Sequence, residues 1–228
     1  MVMKFLEAEK VDEKTAERLE KLIEKSYYSY WKKKRIFDVS VTVIILTFLI
    51  IPILITALVV FLDDPKGSPF YKQVRIGRHG KPFNMYKFRS MYVDAEKRKK
   101  DLMDSNEMDG PVFKMKNDPR ITRVGRVLRK YSIDEIPQLF NVLIGNMSIV
   151  GPRPALPEEV EKYSDYNKLR LVVTPGITCT WQIMPDKNDI PYEKWLEMDL
   201  EYIETRTTLK DIKIILKTPF AMLRANGR

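Results

Sequence analysis

Two neighbouring carboxylates, Asp134 and Glu135, stand in Ser132-Ile133-Asp134-Glu135-Ile136-Pro137, a stretch with the residue types of a helix start. Ser132 and Glu135 have capping-box spacing. Alternatively, Asp134 is the cap and Pro137 falls in the tolerant first turn. Capping alone accounts for both acids, yet the same geometry suits chemistry. Free N–H groups and the dipole at a helix start keep a carboxylate ionised and attract phosphate. An ionised carboxylate beside a bound phosphate can attack it, or hold the Mg²⁺ that phosphoryl chemistry usually needs. Arg120, Arg123, Arg126, Arg129 and Lys130 recur at helical spacing just upstream. They form either an exposed basic face or a phosphate-binding row, for which arginine's rigid fork of donors is suited. Gly151-Pro152-Arg153-Pro154 fixes the backbone around one guanidinium, as a rigid turn or as a preorganised phosphate clamp.

Composition narrows the other chemistries. With His79 the single histidine, a multi-histidine metal site or a Ser-His-Asp triad is excluded in practice. Cys179 is the single cysteine, so no internal disulfide forms and a reducing compartment fits. Acid/base or nucleophilic work falls to carboxylates, lysine or Cys179. The net charge of +9 and pI near 9.4 suit an anionic leaflet, phosphorylated substrates or nucleic acid. No nucleic-acid-binding motif accompanies that charge, which sets nucleic acid aside.

The elements that must position these groups begin with Val39 to Leu62, an apolar run without a charge, bounded by Lys32-Lys33-Lys34-Arg35 with Asp38 and by Asp63-Asp64-Pro65. A bilayer core of ~30 Å takes ~20 such residues. Pro52 interrupts the run, and both flanks are basic, so the positive-inside rule draws both ends to one side. A kinked span and a re-entrant hairpin are both consistent with the residues. The late, long run does not suit a secretory leader.

Ahead of it, residues 1–30 read as a charged helical segment, and Tyr27, Tyr28, Tyr30 and Trp31 have the makings of an interfacial belt. Behind it, turn signals bracket two β-like pieces, Phe70 to Ile76 and Phe83 to Phe88, predicting a two-stranded ribbon. Residues 92–109 look like a short helix running into a charged loop. Helices are expected over Tyr163 to Val173, 191–206 and Thr208 to Arg224, the last basic and amphipathic. The stretch Ile177 to Ile183, with Cys179 and Trp181, reads as core.

Four runs together resemble one family: Tyr86-Lys87-Phe88-Arg89-Ser90-Met91, Ser132 to Val142, Gly145-Asn146-Met147-Ser148 and Gly151-Pro152-Arg153-Pro154. Their order and spacing are similar to those of the bacterial sugar transferases, the monotopic polyprenyl-phosphate phosphoglycosyltransferases, from about Lys34 to Thr218. The resemblance implies transfer of a phosphosugar from a UDP-sugar to undecaprenyl phosphate with release of UMP, the first membrane step of surface glycan assembly. It implies Asp134 and Glu135 as the catalytic dyad and Mg²⁺ ligands, with Asp134 forming a phosphosugar ester. Arg129 and Arg153 would hold phosphates, with Lys87 and Arg120 near the same site. Asp38 would match the start of the membrane helix and Pro52 its point of return. The implied fold is α+β and mainly helical. A re-entrant helix–break–helix over 31–62, broken near Pro52, would precede a catalytic domain over 63–228. That domain would carry a small β-ribbon and surface amphipathic helices. The implied location is the cytoplasmic face of the bacterial inner membrane, against phospholipid.

One stretch departs from the family pattern. Where many members read Gln-x-Ser-Gly-Arg-Asn, this chain has Gln182-Ile183-Met184-Pro185-Asp186-Lys187-Asn188, leaving Lys187 as the nearest cation for a nucleotide contact. Lysine does not reproduce a bidentate fork. The apolar helix or residues 184–188 offer surfaces for a homodimer. Two other readings compete with the transferase: a membrane-anchored basic module without activity, and a relative that has lost turnover.

Overall fold

A computed structural model describes residues 17–18, 28–99, 115, 118–185, 187 and 189–224. Most of the charged N-terminal segment and most of 100–117 lie outside them. The elements in order are helix α1 (Tyr28–Asp63), strands β1 (Phe70–Ile76) and β2 (Pro82–Phe88), helices α2 (Ala95–Lys99), α3 (Arg123–Lys130) and α4 (Gln138–Ile144) and strand β3 (Ser148–Val150). There follow helices α5 (Pro157–Val160) and α6 (Asp165–Lys168), strand β4 (Gly176–Thr178) and helices α7 (Tyr192–Thr205) and α8 (Thr208–Leu223). The α+β, mainly helical class is as expected.

Helix α1 is continuous through Pro52, so the expected break into two helices is not seen. A proline removes one hydrogen bond, and the turns on either side keep theirs. Trp31–Asp63 is long and apolar enough to cross a membrane. It does not stand free of the domain, however. Lys34, Asp38, Thr42, Leu46, Leu49, Ile53, Ala57, Val60 and Asp64, spaced by threes and fours, form one covered stripe from end to end. Its middle, Leu46, Leu49, Ile53 and Ala57, packs with Leu128, Ile133, Ile136 and Phe140. The other faces are bare: Phe48 is 77% exposed, and Ile51, Leu58 and Leu62 are also exposed. Pro52 lies on that bare side.

Polar ties hold both ends of α1. Lys34 Nζ lies 2.8 Å from Asp38 Oδ1 and 3.0 Å from Asp211 Oδ2, all three side chains buried. Asp38 Oδ2 accepts from Ser148 Oγ at 2.7 Å, and Arg35 donates to the carbonyls of Val142 and Leu143, near the end of α4. At the far end, Asp63 Oδ2 accepts from Val124 N at 3.2 Å, and Asp64 pairs with Arg89 at 2.6 Å. Trp31 is half-buried between guanidinium groups, with Arg78 3.8 Å and Arg206 5.7 Å from its ring centre. It therefore belongs to the fold rather than to a lipid-facing belt.

The ribbon is present, with β1 and β2 antiparallel in a register running from Phe70↔Phe88 to Ile76↔Pro82. A second pairing, parallel β3 with β4, was not expected from residues so few and so short. Helices α7 and α8 match expectation. The single helix expected over Tyr163 to Val173 is instead α6 followed by a 3₁₀ turn, Leu169–Val172. Ser164 caps α6 through Asn167 N, which starts the helix later than the apolar pattern suggested.

Helix α3 begins at Thr122, whose side chain accepts from Gly125 N at 2.9 Å. Gly125 faces the backbone of Ser90, and a Cβ there would lie 2.0 Å from Ser90 O. Gly125→Ala should cost about 3 kcal/mol, since packed backbone on both sides leaves nothing to give way. Thermal unfolding of the detergent-solubilised variant, with the transition unmoved, would count against this packing.

Candidate active site

Asp134 and Glu135 sit on a 3₁₀ turn, Ile133–Glu135, that ends before α4 begins. Neither acid caps a helix. Ser132 makes no side-chain capping bond and occupies the left-handed region at φ 55°, ψ 24°, so the expected capping box is absent. A non-glycine residue there costs about 1 kcal/mol or more and must be held by its surroundings. Those surroundings are α1: Ile133 and Ile136, on either side of the dyad, pack against its middle.

Lys87 comes from β2 and donates from Nζ to Glu135 Oε1 at 2.9 Å. Its strand is aligned by buried Asn141 of α4. Asn141 accepts from Tyr86 N at 2.9 Å and donates to Asn84 O at 2.7 Å. Glu135, Lys87 on β2 and Asn141 on α4 are thus linked by hydrogen bonds. Arg129, half-buried at the end of α3, acts on Asp134 through space, and Arg153 acts likewise on Glu135. Of the basic row, only Arg129 turns this way; Arg123, Arg126 and Lys130 are exposed. Arg120 lies before the helix, buried and paired with Asp118 at 2.6 Å. Lys187 is half-exposed in the loop after Trp181, and no contact with the dyad is found among the described residues.

Arg75 carries no signal in the sequence motifs yet belongs here. It is 4% exposed, donates to Pro154 O at 3.0 Å, and feels Arg153, Glu159 and Glu135. Burial, with Arg153 adding to it, pushes its guanidinium down to about 10. The available clue was alternation along β1, which puts Gln73 and Arg75 on one face; Gln73 Oε1 accepts from Arg75 Nη2 at 2.7 Å.

The two acids are driven apart. Burial raises the Asp134 carboxyl above its usual range, against the pull of Lys87. Burial acts on Glu135 in the same sense, but Lys87, Arg153 and Arg75 outweigh it and hold that carboxyl low. Adjacent carboxylates with separated affinities titrate as a pair. Lys87, Arg75, Arg129 and Arg153 face Asp134, Glu135 and, beside Arg75, the buried Glu159, so cations still outnumber acids and the site has room for further negative charge. Among the described residues no three His, Cys, Asp or Glu side chains converge as a metal cluster. Two adjacent carboxylates do suit Mg²⁺ when substrate phosphates complete its shell.

A family model described as bacterial sugar transferase matches residues 29–225. The chain belongs to that family. It is 44% identical over 200 residues to the galactosyl transferase CpsE of Streptococcus agalactiae, covering 88% of this chain and 44% of that protein. Against the undecaprenyl-phosphate galactose phosphotransferase of Salmonella typhimurium, identity is 42% over 205 residues, covering 85% and 41%. The exopolysaccharide production protein ExoY of Rhizobium meliloti is 39% identical over 199 residues, covering 85% and 87%. The chain thus spans less than half of the first two relatives and most of the third.

Replacing Lys87 with Met should raise the titration midpoints of both Asp134 and Glu135, because Lys87 favours the ionised form of each. Carboxyl ¹³C shifts followed against pH measure this. Unmoved midpoints would mean that Lys87 does not set their charge.

Proposed function

We propose that this chain is an enzyme that transfers a phosphosugar from a UDP-sugar to undecaprenyl phosphate, giving the diphosphate-linked lipid and UMP. The observation that carries the reading is the Asp134–Glu135 pair, ringed by Lys87, Arg75, Arg129 and Arg153, in a member of the bacterial sugar transferase family. The names of the Salmonella relative and of a Klebsiella pneumoniae glucose-1-phosphate transferase, 40% identical over 194 residues, support the lipid acceptor.

In the first step an Asp134 oxygen attacks the sugar-bearing β-phosphorus. The bond from that phosphorus to the bridging oxygen breaks, and its electron pair leaves on UMP. In the second step an oxygen of undecaprenyl phosphate attacks the same phosphorus and the Asp134 carboxylate departs. Charge is conserved without a proton transfer, which suits a site lacking histidine. Lys87 and Arg153 hold the phosphates from the Glu135 side and Arg129 from the Asp134 side. Arg120, gripped by Asp118, backs Arg129, since Asp118 feels both arginines. Lys187 reaches for the nucleotide from its loop. Mg²⁺, held by Asp134 and Glu135 with substrate oxygens, would neutralise charge on the phosphates.

The helix α1 completes the arrangement. Both of its ends are tied to one domain, which supports placing both of them, with the catalytic domain, on the cytoplasmic face of the inner membrane. The lipid phosphate lies at headgroup depth, and Ile133 and Ile136, on either side of the dyad, pack on the middle of that helix.

Asp134→Asn should lower UMP release by at least about a thousandfold in the presence of Mg²⁺, undecaprenyl phosphate and the preferred UDP-sugar. Full activity in that variant would remove the dyad from the mechanism, and a binding module without turnover would release no UMP from either protein. Lys33 and Lys72 are both exposed. Cysteines placed there in a Cys179→Ser background should label from the cytoplasmic side alone; labelling of either from the other side would establish a crossing.

A further inference from the structure

Pro152 and Pro154 lack amide protons, so the loop that carries Arg153 must be held through its carbonyls. Four successive carbonyls are each taken by a different donor. Pro152 O accepts from Gly176 N at 2.9 Å, Arg153 O from Arg170 Nη2 at 2.9 Å, Pro154 O from Arg75 Nη1 at 3.0 Å and Ala155 O from Ile76 N at 2.9 Å. Two backbone groups and two buried guanidinium groups therefore grip consecutive residues.

Arg170 is itself held by two side chains. Its Nη1 donates to Tyr163 Oη at 2.7 Å, and its Nη2 reaches Asp199, which is fully buried. Asp199 Oδ1 accepts from Trp181 Nε1 at 3.2 Å, and Trp181 stacks on Trp195 with ring centres 4.4 Å apart. A buried ion pair contributes little net stability, because desolvation offsets most of the attraction. Stability alone is a poor account of a pair that leaves Arg170 Nε buried without a partner while Nη2 also holds one loop carbonyl beside the dyad.

We propose that Arg170, oriented by Asp199 and Tyr163, is a positioning residue for Arg153. By fixing the carbonyl of residue 153 it sets the direction in which the Arg153 guanidinium meets the phosphates beside Glu135. The inference rests on the transferase reading. Direction matters because a planar fork binds phosphate through paired donors, whereas a lysine tail finds its own path.

The test compares Arg170→Lys in two backgrounds, wild type and Arg153→Lys. Arg170→Lys keeps the charge that Asp199 needs and loses the fork that reaches three acceptors. Donor kcat/KM should fall about tenfold in the wild-type background, the scale of a sub-ångström misplacement, and less than about twofold with Lys at 153. Tyr163→Phe, nearly isosteric, should give a smaller loss with the same dependence on background, and carries the test if Arg170→Lys does not fold. Calorimetric affinity for UDP across the same proteins should follow the same pattern without requiring turnover. Equal losses in both backgrounds, or no loss from either variant, would overturn the positioning role alone. A wild-type protein that binds UDP but releases UMP from no UDP-sugar would overturn the transferase reading alone.

Discussion

The arrangement depends on one helix being held along the flank of the domain it serves. In a bilayer, apolar packing of α1 gains little over lipid contact, because acyl chains are as apolar as leucine. What specifies the seat is therefore polar: Lys34, Asp38, Asp211 and Ser148 at one end, Asp63, Asp64, Arg89 and Val124 N at the other. These ties position the apolar stripe, and the stripe in turn supports Ile133 and Ile136 on either side of the dyad. The strained conformation of Ser132 persists because the turn that follows it is fixed from beneath.

Charge organises the site at a second level. Four cations drawn from β1, β2, α3 and the Gly-Pro-Arg-Pro loop converge on two consecutive acids, although their positions in the chain run from 75 to 153. No pair of them is adjacent in sequence. Convergence of this kind needs a rigid frame, which Asn141 supplies between α4 and β2 and the carbonyl ties supply around Arg153. The acids respond in opposite senses because one is the more deeply buried and the other directly paired. A carboxyl that holds its proton more tightly and a standing anion can then coexist side by side.

Much of this was legible in the residues, and the limits have physical causes. The ribbon was readable because turn signals bracket alternating residues, and α7 and α8 because their apolar spacing runs uninterrupted over several turns. The dyad and Arg153 stood out through motif context. The parallel β3–β4 pairing was hidden because a three-residue strand has no periodicity to detect. Arg75 and Arg170 were hidden because their importance comes from carbonyls distant in sequence. The basic row looked uniform, yet α3 turns only Arg129 inward and leaves Arg123 and Arg126 in solvent. Pro52 suggested an interruption that the flanking turns absorb. Local propensity reports what a proline removes, and the neighbouring hydrogen bonds decide whether the helix survives.

The covered stripe on α1 has a further consequence for how the molecule is made. Leu128, Ile133, Ile136 and Phe140, which cover the middle of the helix, follow it by more than sixty residues. During synthesis α1 is made with one Asp38 oxygen still waiting for Ser148, and the later segments must fold onto a helix already in place. Anchor and core are accordingly one folding unit. Cutting α1 away would strip the floor from beneath the dyad rather than release a finished domain.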